Sequence, residues 1–255
     1  MEVGTGALKE AALGNSLHVQ DTPVDIVVCS ITMSEPERKR PRRTRDTSKF
    51  NGVTKVKLVE QVNALSGTEF FTKYAPSEGE CTSRVAPCRT IKRIAADLPS
   101  DLLEQCLSLI ESTSKEDYEN SEIKWSASKK RKEMKLPDMK YIVLLDDESS
   151  VNGFISFMVT YEDGHEVVYI YEIHFKPEWQ GKGVGGKLMS IVESIGRNVG
   201  LVKVMLTVFK ANDRAVRWYT KLGYVEDEFS PGPRKLRNGT VKEPNYIVLS
   251  KTLRN

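Results

Sequence analysis

A glycine-rich segment in the second half of the chain has the residue types that bind an anion through the backbone. It reads Gln180-Gly181-Lys182-Gly183-Val184-Gly185-Gly186. A β-rich segment precedes it, and apolar residues at helical spacing follow it to about Val199. Glycine lets a ligand approach the backbone closely, and the first amides of a helix are unpaired donors at the positive end of the helix dipole. The segment therefore predicts an anion site, of the kind that most often binds phosphate groups.

Two common phosphate-binding motifs do not fit this segment. A P-loop has Ser or Thr after Gly-Lys, whereas Leu188 follows Lys187 here. A dinucleotide-binding fingerprint has Gly-x-Gly-x-x-Gly and an acidic residue at the end of the next strand, and residues 201–209 contain no acidic residue. The segment therefore belongs to neither class.

Hydrophobic patterns predict the elements that must position this segment. Three β-rich segments precede it, at residues 139–145, 154–161 and 167–175, and the last two are predicted to pair as an antiparallel hairpin. After it come a helix, a strand at 201–208, a helix at 212–222, and strands at 224–229 and 246–249. These elements describe a mixed α/β domain without an internal repeat.

Helices are also predicted before the strands. The first begins near residue 53 and is predicted to stop at Gly67. The second opens at residues 99–101, where Ser100 or Asp101 could cap its N terminus. Four consecutive basic residues, 129–132, are predicted to form an exposed helix face. The N-terminal part of the domain is therefore expected to be helical.

The composition is that of a soluble globular chain. Of its 255 residues 39% are hydrophobic and 29% are charged, which is enough to form a core, and no apolar run could span a bilayer. The first residues resemble neither a secretory signal nor a transit peptide, so an intracellular protein is expected. The four cysteines form no Cys-x-x-Cys pair, which argues against zinc and predicts free thiols in a reducing compartment.

The positive charge is concentrated in one tract. The chain has a net charge of +3, and residues 37–45 contain six Lys and Arg and one Glu. Such a tract is recognised by nuclear import receptors or polyanions, or is a solvated tail without a specific partner. Residues 1–48 are predicted to be a disordered basic tail, and residues 49–255 a folded domain with a helical N-terminal extension.

The glycine-rich segment and the elements after it resemble the GCN5-related N-acetyltransferase (GNAT) superfamily. The motif Gln180-x-x-Gly183-x-Gly185 follows a strand, and Asn212 precedes a helix that carries Trp218-Tyr219-x-x-Leu222-Gly223-Tyr224. The resemblance covers about residues 139–250. It implies the GNAT fold, an α/β (α+β) architecture with a central mixed, mostly antiparallel sheet and flanking helices. It also implies acetyl-coenzyme A (acetyl-CoA) as co-substrate and no metal.

A narrower resemblance is carried by Tyr169-x-Tyr171-Glu172 and by Lys203-Val204-Met205-Leu206-Thr207-Val208-Phe209-Lys210-x-Asn212. These motifs are similar to the N-terminal acetyltransferase D family, and further matches extend the resemblance to about residues 55–252. It implies an N-α-acetyltransferase acting on the Ser-Gly-Arg-Gly amino termini of histone H4 and its relatives. Histone N-terminal tails are therefore the expected partners, in the nucleus and cytoplasm. A monomer is expected, with no membrane contact and no nucleic-acid binding beyond the basic tail.

The resemblance implies roles for residues of this chain one by one. Glu172 is the implied general base for the acceptor's α-amino group, whose ordinary pKa is about 7.7–8, and Tyr171 joins it in the catalytic set. The residues implied to bind the peptide are Tyr118, Tyr169, Glu162, Thr207 and Tyr246. Those implied to bind acetyl-CoA are the backbone groups of Ile173, His174 and Phe175, the turn Gly181, Lys182, Gly183, Val184, Gly185 and Gly186, and Asn212. The side chain of His174 is expected to face away from Glu172, and Tyr219 matches a position that often protonates the leaving thiolate.

Departures from the family pattern concern the acceptor. Thr160 stands where the family typically has aspartate, so recognition of a substrate Arg is left to Glu162 or Asp163. Acidic residues at 162–166 and 226–228 are expected near the peptide groove, and residues 231–243 are more basic than the family pattern. Two alternatives stay open: a lysine or small-amine acetyltransferase on the same fold, and a non-catalytic chromatin binder that uses the basic tract.

Overall fold

The computed structural model describes residues 57–77 and 89–253 of the chain. Its helices are α1 (Leu58–Asn63), α2 (Gly67–Tyr74), α3 (Ser100–Glu119), α4 (Ala127–Met134), α5 (Val184–Val199) and α6 (Asp213–Lys221). Its strands are β1 (Arg89–Ile94), β2 (Lys140–Leu145), β3 (Val151–Glu162), β4 (His165–Phe175), β5 (Lys203–Phe209), β6 (Val225–Glu226), β7 (Arg234–Lys235), β8 (Val241–Lys242) and β9 (Tyr246–Thr252). The predicted basic tail, residues 1–48, lies outside the described residues. Among the helices that are described, none is long and apolar enough to cross a membrane.

A seven-stranded sheet organises the described part of the chain, in the order β1-β2-β3-β4-β5-β9-β6. Neighbouring strands are antiparallel except β4 and β5, which are parallel. The strands β7 and β8 form a separate hairpin. Helices pack on both faces of the sheet. This mixed, mainly antiparallel sheet with flanking helices confirms the predicted fold class.

A tight turn fixes the register of β3 and β4, the strands that carry most of the site. Asp163 and Gly164 have φ angles of 47° and 83°, positive at both central positions as in a type I′ turn. Glu162 lies opposite His165 immediately beside this turn. The predicted hairpin is therefore confirmed.

The two faces of the sheet bury different helices. On one face α1, α2, α5 and α6 cover strand residues such as Ile155 and Phe157. On the other face α3 and α4 cover residues such as Tyr141 and Phe154. Successive strand side chains point to opposite faces, so each strand contributes to both cores. Each large apolar side chain buried in this way contributes about 1.5–3 kcal/mol.

In the N-terminal part the predicted opening of a helix at residues 99–101 is confirmed, whereas the stop predicted at Gly67 and the predicted side-chain cap are wrong. Gly67 begins α2 instead of ending a helix, because the Ser66 hydroxyl accepts the amide of Glu69 and the Glu69 carboxylate accepts the amide of Ser66. The residue before α3 is Pro99, and neither Ser100 nor Asp101 caps that helix. Both predicted helices are nevertheless present, as α1 and α3.

Two strand predictions also need correction. The edge strand β1 has the sequence Arg-Thr-Ile-Lys-Arg-Ile and was not predicted, because charged residues interrupt its apolar pattern. The segment predicted as a strand at residues 224–229 forms only the two-residue strand β6. The strand that begins at Tyr246 is longer than predicted and continues to Thr252.

Candidate active site

The strands β4 and β5 pair over part of their length and then separate. Their parallel pairing runs from Val167 opposite Lys203 to Ile170 opposite Leu206. Within the described structure, residues 171–175 of β4 have no pairing partner on β5. A strand that leaves its neighbour can pair its backbone with an extended ligand instead. The cleft between these diverging strand ends is the candidate active site.

A bulge in β4 places Tyr171 and Glu172 on the same face of the sheet. Glu172 pairs with Ser156, and the next residue of β3, Phe157, pairs with Ile170, so Tyr171 is the extra residue. Tyr171 packs against the core under α3 and α4, and Glu172 bonds to a side chain of α4. The bulge therefore presents a phenol and a carboxylate side by side toward these helices.

Glu172 is ionised by its surroundings although it is buried. Its side chain is 1% exposed. The Lys130 ammonium donates to its Oε1 over 2.7 Å, and the His174 Nε2 atom lies 2.7 Å from its Oε2. Burial raises the pKa of Glu172, but Lys130 and His174 outweigh burial and hold that pKa below its usual value. The carboxylate is therefore a ready proton acceptor of low basicity.

Lys130 contradicts the prediction that residues 129–132 form an exposed helix face. Its side chain is only 4% exposed, whereas Lys129 and Lys132 are exposed. Besides Glu172, its ammonium contacts Glu133 Oε1 at 3.1 Å. It also lies 5.2 Å from the centre of the Tyr118 ring. The helix α4 therefore turns one of its cations inward as the counter-charge of Glu172.

The prediction that the side chain of His174 faces away from Glu172 is also wrong. Residues two apart on a strand point to the same face, so the expectation misapplied the alternation of side chains. The ring of His174 is fully buried and stacks on Phe154, with ring centres 5.7 Å apart. Its Nδ1 atom lies 2.7 Å from Thr113 Oγ1 on α3. His174 thus joins Glu172 to α3.

Aromatic side chains line the cleft beside Glu172. Tyr118, at the end of α3, packs edge-on against Trp125 and Phe209, with ring centres 5.3 and 5.7 Å away. Tyr246 packs against the same group. We call this lining the aromatic groove, and its members are Tyr118, Trp125, Tyr169, Tyr171, Phe209 and Tyr246. All four tyrosines that the sequence singled out for the peptide site or the catalytic set therefore lie in one place.

Tyr169 and Thr207 join β4 to β5 at the point where the strands separate. Their hydroxyl groups are hydrogen-bonded to each other. The ring of Tyr169 also lies 5.5 Å from that of Tyr171. Burial raises the pKa of Tyr169, and it raises that of Tyr171 to about 12, so both phenols are neutral at physiological pH. The aromatic groove is thus an uncharged lining around one carboxylate.

The predicted acidic residues divide into those near the aromatic groove and those engaged elsewhere. Glu162 is half-buried, its pKa is raised by burial and by Asp163, and its charge acts on Tyr171. Asp163 forms the exposed turn after β3. Asp227 is buried and accepts the Lys203 ammonium at 2.6 Å, so it is part of a structural ion pair. Glu162 is therefore the better candidate for a substrate cation.

The basic segment 231–243 forms a wall at the far end of the aromatic groove. It contains the β7–β8 hairpin and, together with Glu122 and Tyr246, lines a cavity of about 220 Å³. The Lys242 ammonium lies 2.5 Å from Glu122 Oε1, which ties the hairpin to the residues after α3. This cavity continues the groove beyond Tyr246 and gives room for further residues of an extended ligand.

The glycine-rich turn has the backbone geometry expected of the anion site that its sequence predicts. Gly183 precedes α5 with a φ of 80°, a backbone conformation that favours glycine, and no side chain caps the helix. The amides of Val184, Gly185 and Gly186 begin the helix and have no acceptor one turn earlier. A Cβ atom on Gly186 would meet no atom within 4 Å, although this residue is half-buried. Space therefore lies beside an uncapped helix start with its positive dipole end.

Buried polar atoms without a protein partner occur at the start of this segment and on α6. They include Tyr219 Oη and Gln180 Oε1. Burial, and then the charge of Glu172, raise the pKa of Tyr219 well above its ordinary value, so its hydroxyl keeps its proton. An orphaned buried polar group costs about 1–3 kcal/mol unless a ligand or water bonds to it. Together with the open helix start, these atoms fit a ligand that has phosphate groups and a carbonyl thioester.

The side chain of Asn212, which is predicted to contact acetyl-CoA, also has a structural role. Its Oδ1 atom accepts the amide of Ala215 over 3.0 Å and caps α6. In residues 57–77 and 89–253, no cluster of His, Cys, Asp and Glu could hold a metal ion.

Three functional side chains were missed by sequence reasoning. Lys130 lies in a segment that resembles the N-terminal acetyltransferase D family but was given no role, Thr113 has no motif of its own, and Gln180 was considered only as part of the glycine segment. The spacing of Lys130 and Glu133, three apart on a helix, was a signal that these two side chains could share a face. The contact with Glu172 depends on the packing of α4 against β4, which no local pattern encodes.

Comparisons with known proteins agree with this geometry. A sequence model of the Acetyltransferase (GNAT) family matches residues 102–224. N-alpha-acetyltransferase 40 of Saccharomyces cerevisiae is 32% identical over 155 residues, which cover 52% of this chain and 54% of that protein. Thialysine N-epsilon-acetyltransferase of Bos taurus is 34% identical over 56 residues, which cover 22% of this chain and 33% of that protein. The chain thus spans about half the length, or less, of these curated relatives.

A solved structure supports the architecture. The crystal structure of an acetyltransferase of the GNAT family from Staphylococcus aureus Mu50 aligns with a TM-score of 0.50 at 13% identity, over 66% of this chain and 100% of that chain. At this identity the likeness shows the fold alone. The family match spans α3 to Tyr224 and contains Glu172, the glycine-rich turn and Tyr219. This chain therefore contains a GNAT acetyltransferase domain, to which residues 102–224 belong.

Proposed function

We propose that this chain transfers the acetyl group of acetyl-CoA to the α-amino group of a protein N terminus. The observation that carries the proposal is Glu172, an ionised carboxylate held at the separation of β4 and β5 beside the aromatic groove. The similarity to N-alpha-acetyltransferase 40, 32% identical over 155 residues, adds support. Because the chain matches only part of that protein, its activity and substrates are proposals.

Acetyl-CoA would supply an acetyl thioester, a carbon electrophile with a thiolate leaving group. The first amides of α5 bind phosphate groups through the helix dipole and their unpaired N–H groups. The backbone of β4 beyond Ile170 pairs with an extended chain at the cleft. The Tyr219 hydroxyl, protonated and without a protein partner, donates a proton to the departing sulfur.

The acceptor amine is prepared by Glu172. An α-ammonium group has a pKa of about 7.7–8, so near neutral pH a weak base is sufficient to assist its deprotonation. Glu172 accepts that proton, directly or through a water molecule, and the neutral nitrogen then attacks the thioester carbonyl. The low basicity of Glu172 lets it release the proton again after each cycle. Tyr169 and Tyr171 line the path of the amine to Glu172, and because both phenols are neutral they place no further charge beside it.

The acceptor we propose is an N terminus of the histone H4 type, with the sequence Ser-Gly-Arg-Gly. Small residues at its first two positions suit a groove lined by large aromatic rings. Its Arg would meet Glu162, whose half-buried carboxylate lies near the tyrosines of the groove. Residue 160 is Thr where the family typically has aspartate, so a second carboxylate is missing. Glu162 alone would then bind the substrate Arg.

The test is mass spectrometry of peptides after incubation with the protein and acetyl-CoA. A Ser-Gly-Arg-Gly peptide with a free α-amine and internal lysines should gain one acetyl group at its N terminus. The same peptide with a blocked α-amine should gain none, and a Ser-Gly-Ala-Gly peptide should react more slowly. Acetylation of the blocked peptide would contradict the proposal.

That last outcome would favour a lysine or small-amine acetyltransferase. The similarity to thialysine N-epsilon-acetyltransferase, which covers 56 residues, is the observation that favours this second candidate. The peptide pair separates the two activities because only the α-amine differs between its members.

We also propose that the protein is a monomer that acts in the nucleus and the cytoplasm, and that residues 37–45 direct its nuclear import. The density of Lys and Arg in this tract supports the proposal. Deletion of residues 1–48 should lower nuclear enrichment and leave peptide acetylation nearly unchanged. Loss of turnover in a folded truncated protein would assign the tail to the active site instead.

A further inference from the structure

His174 is a buried titratable residue whose side chain has no part in the proposed reaction. The side chain is 0% exposed, and its two ring nitrogens have different partners. Nε2 lies 2.7 Å from Glu172 Oε2, and Nδ1 lies 2.7 Å from Thr113 Oγ1. Stacking on Phe154 fixes the plane of the ring. A buried imidazole held at three sides can impose its orientation on the carboxylate that it contacts.

The hydroxyl of Thr113 decides which ring nitrogen carries a proton. Thr113 Oγ1 lies 2.8 Å from the carbonyl oxygen of Leu109 as well as 2.7 Å from His174 Nδ1, and a hydroxyl has one proton to donate. When it donates to Nδ1, the neutral ring carries its proton on Nε2 and donates to Glu172. When it donates to Leu109, Nδ1 must donate to the hydroxyl, and the ring is then protonated at both nitrogens. In both arrangements Glu172 remains an acceptor, as an ionised carboxylate must be.

The charges around this pair favour an ionised Glu172. The charged groups beside Glu172 are Lys130, which contacts it, and Glu133, which contacts Lys130, and both lie on α4. The other titratable groups beside it come from α3, β2, β4 and α6, and they are Cys106, Tyr118, Tyr141, Tyr171 and Tyr219. Lys130 fixes Oε1 and His174 fixes Oε2, so the carboxylate cannot rotate without losing a donor. A carboxylate can accept about four hydrogen bonds, so the bonds from Lys130 and His174 do not by themselves use its full accepting capacity.

We propose that His174 is a positioning residue for Glu172, and that with Thr113 it holds the carboxylate in one orientation toward the acceptor amine. This inference rests on the proposed function, in which Glu172 accepts the amine proton. It differs from the backbone contact expected for residue 174, since it assigns a role to the side chain. The role requires an N–H donor at the position of Nε2 and a hydroxyl at residue 113.

The kinetic test compares replacements that keep or remove these donors. His174→Ala should lower kcat about 10²-fold, the cost of a misplaced reacting group, and leave the KM for acetyl-CoA unchanged. His174→Gln, whose amide can still donate to Glu172, should recover most of that loss. Thr113→Ser, which keeps the hydroxyl, should retain a higher kcat than Thr113→Val, which removes it. Equal losses at every pH in the Ala and Gln variants would overturn the positioning role, as would a normal kcat in His174→Ala.

A second readout does not depend on turnover. The chain has three histidines, His18, His165 and His174, so ¹⁵N-histidine labelling of the full chain gives few signals. The expected spectrum at neutral pH assigns a proton to Nε2 of His174, and its signals move in Glu172→Gln and Thr113→Val but not in Glu104→Gln, at an exposed ion pair with Arg131. If the His174 signals do not move in Glu172→Gln, the inference is overturned. If the pairing is seen but the unaltered protein acetylates no peptide, the proposed function fails and the pairing stands.

Discussion

The ammonium of Lys130 on α4 lies 2.7 Å from Oε1 of Glu172 on β4, and both side chains are almost fully buried. The pair joins a helix to a strand that lies 42 residues later in the chain. Inside a protein an ion pair of this kind compensates a large loss of hydration, so neither partner is tolerated alone. The position of α4 is therefore tied to the charge of the candidate general base.

Removing the ammonium should destabilise the protein and raise the pKa of Glu172. We expect Lys130→Met to lower the free energy of unfolding by about 3–5 kcal/mol, because it leaves a buried carboxylate uncompensated. The matched control is Lys129→Met, at an exposed neighbouring residue, which should change that free energy by less than about 0.5 kcal/mol. Urea unfolding measures both. Equal stability of the two variants would mean that the ion pair has no energetic role.

Filling the space beside the first turn of α5 should weaken acetyl-CoA binding. A Cβ atom at Gly186 would meet no atom within 4 Å, so we expect Gly186→Leu to keep the fold and to obstruct the anion site. We expect the KM for acetyl-CoA to rise at least about tenfold, while the KM for peptide changes little. Ser190→Leu, at an exposed residue one turn further along α5, is the control. An unchanged KM for acetyl-CoA in Gly186→Leu would place the anion site elsewhere.

Two neighbouring tyrosines should respond in opposite ways to loss of their hydroxyl groups. Tyr219→Phe removes a buried hydroxyl without a protein partner, so stability should be unchanged or slightly higher while kcat falls about 10²-fold. Tyr224→Phe removes a hydroxyl that donates to Glu193 over 3.3 Å, so stability should fall by about 1 kcal/mol with a normal kcat. Thermal melts and initial rates measure both effects. If Tyr219→Phe keeps its normal kcat, another group protonates the leaving sulfur.

Lys140 should make stability depend on alkaline pH. Burial lowers its pKa from 10.5 to about 8. The unfolded chain therefore binds more protons than the folded one between these values, and stability should rise as the pH increases from about 8 toward 10.5, by at most about 1.4 kcal/mol per pH unit. Lys140→Met should remove this rise, and Lys129→Met should keep it. Urea unfolding at several pH values is the measurement, and identical slopes in the two variants would contradict the assignment.

The fold and the backbone geometry of the glycine-rich turn were predictable because local patterns encode them. The period of apolar residues identifies α5, and Asp163-Gly164 is a turn sequence that specifies a hairpin. Gly183 marks a position whose positive φ favours glycine, and it lies where a helix begins. Each of these signals involves residues that are close in sequence.

The side chains around Glu172 were not predictable, because they come from separate elements. Lys130 has the local sequence of an exposed basic helix, and only the packing of α4 on the sheet turns it inward. The bulge at Tyr171 depends on the pairing register between β3 and β4. It places Tyr171 and Glu172 on the same face, whereas simple alternation predicts opposite faces for neighbouring residues. For His174 the alternation rule was sufficient and was misapplied, since residues two apart share a face.

The central claim is that Glu172 accepts the proton of the acceptor's α-amine. Glu172→Gln keeps the size of the side chain but cannot accept a proton, and it leaves Lys130 without its counter-charge. The double variant Lys130→Met, Glu172→Gln removes the ion pair as a unit and so controls for stability. Both proteins are checked for folding and for peptide binding before turnover is compared.

The measurement is kcat against pH with a Ser-Gly-Arg-Gly peptide and acetyl-CoA. In both variants we expect kcat at neutral pH to fall about 10²–10⁴-fold and to recover partly at higher pH, where more of the amine is already neutral. Peptide and acetyl-CoA binding should change much less, because the loss belongs to the transition state. A folded variant with near-normal kcat at neutral pH, or a loss of the same size at every pH, would contradict the assignment of Glu172 as the base.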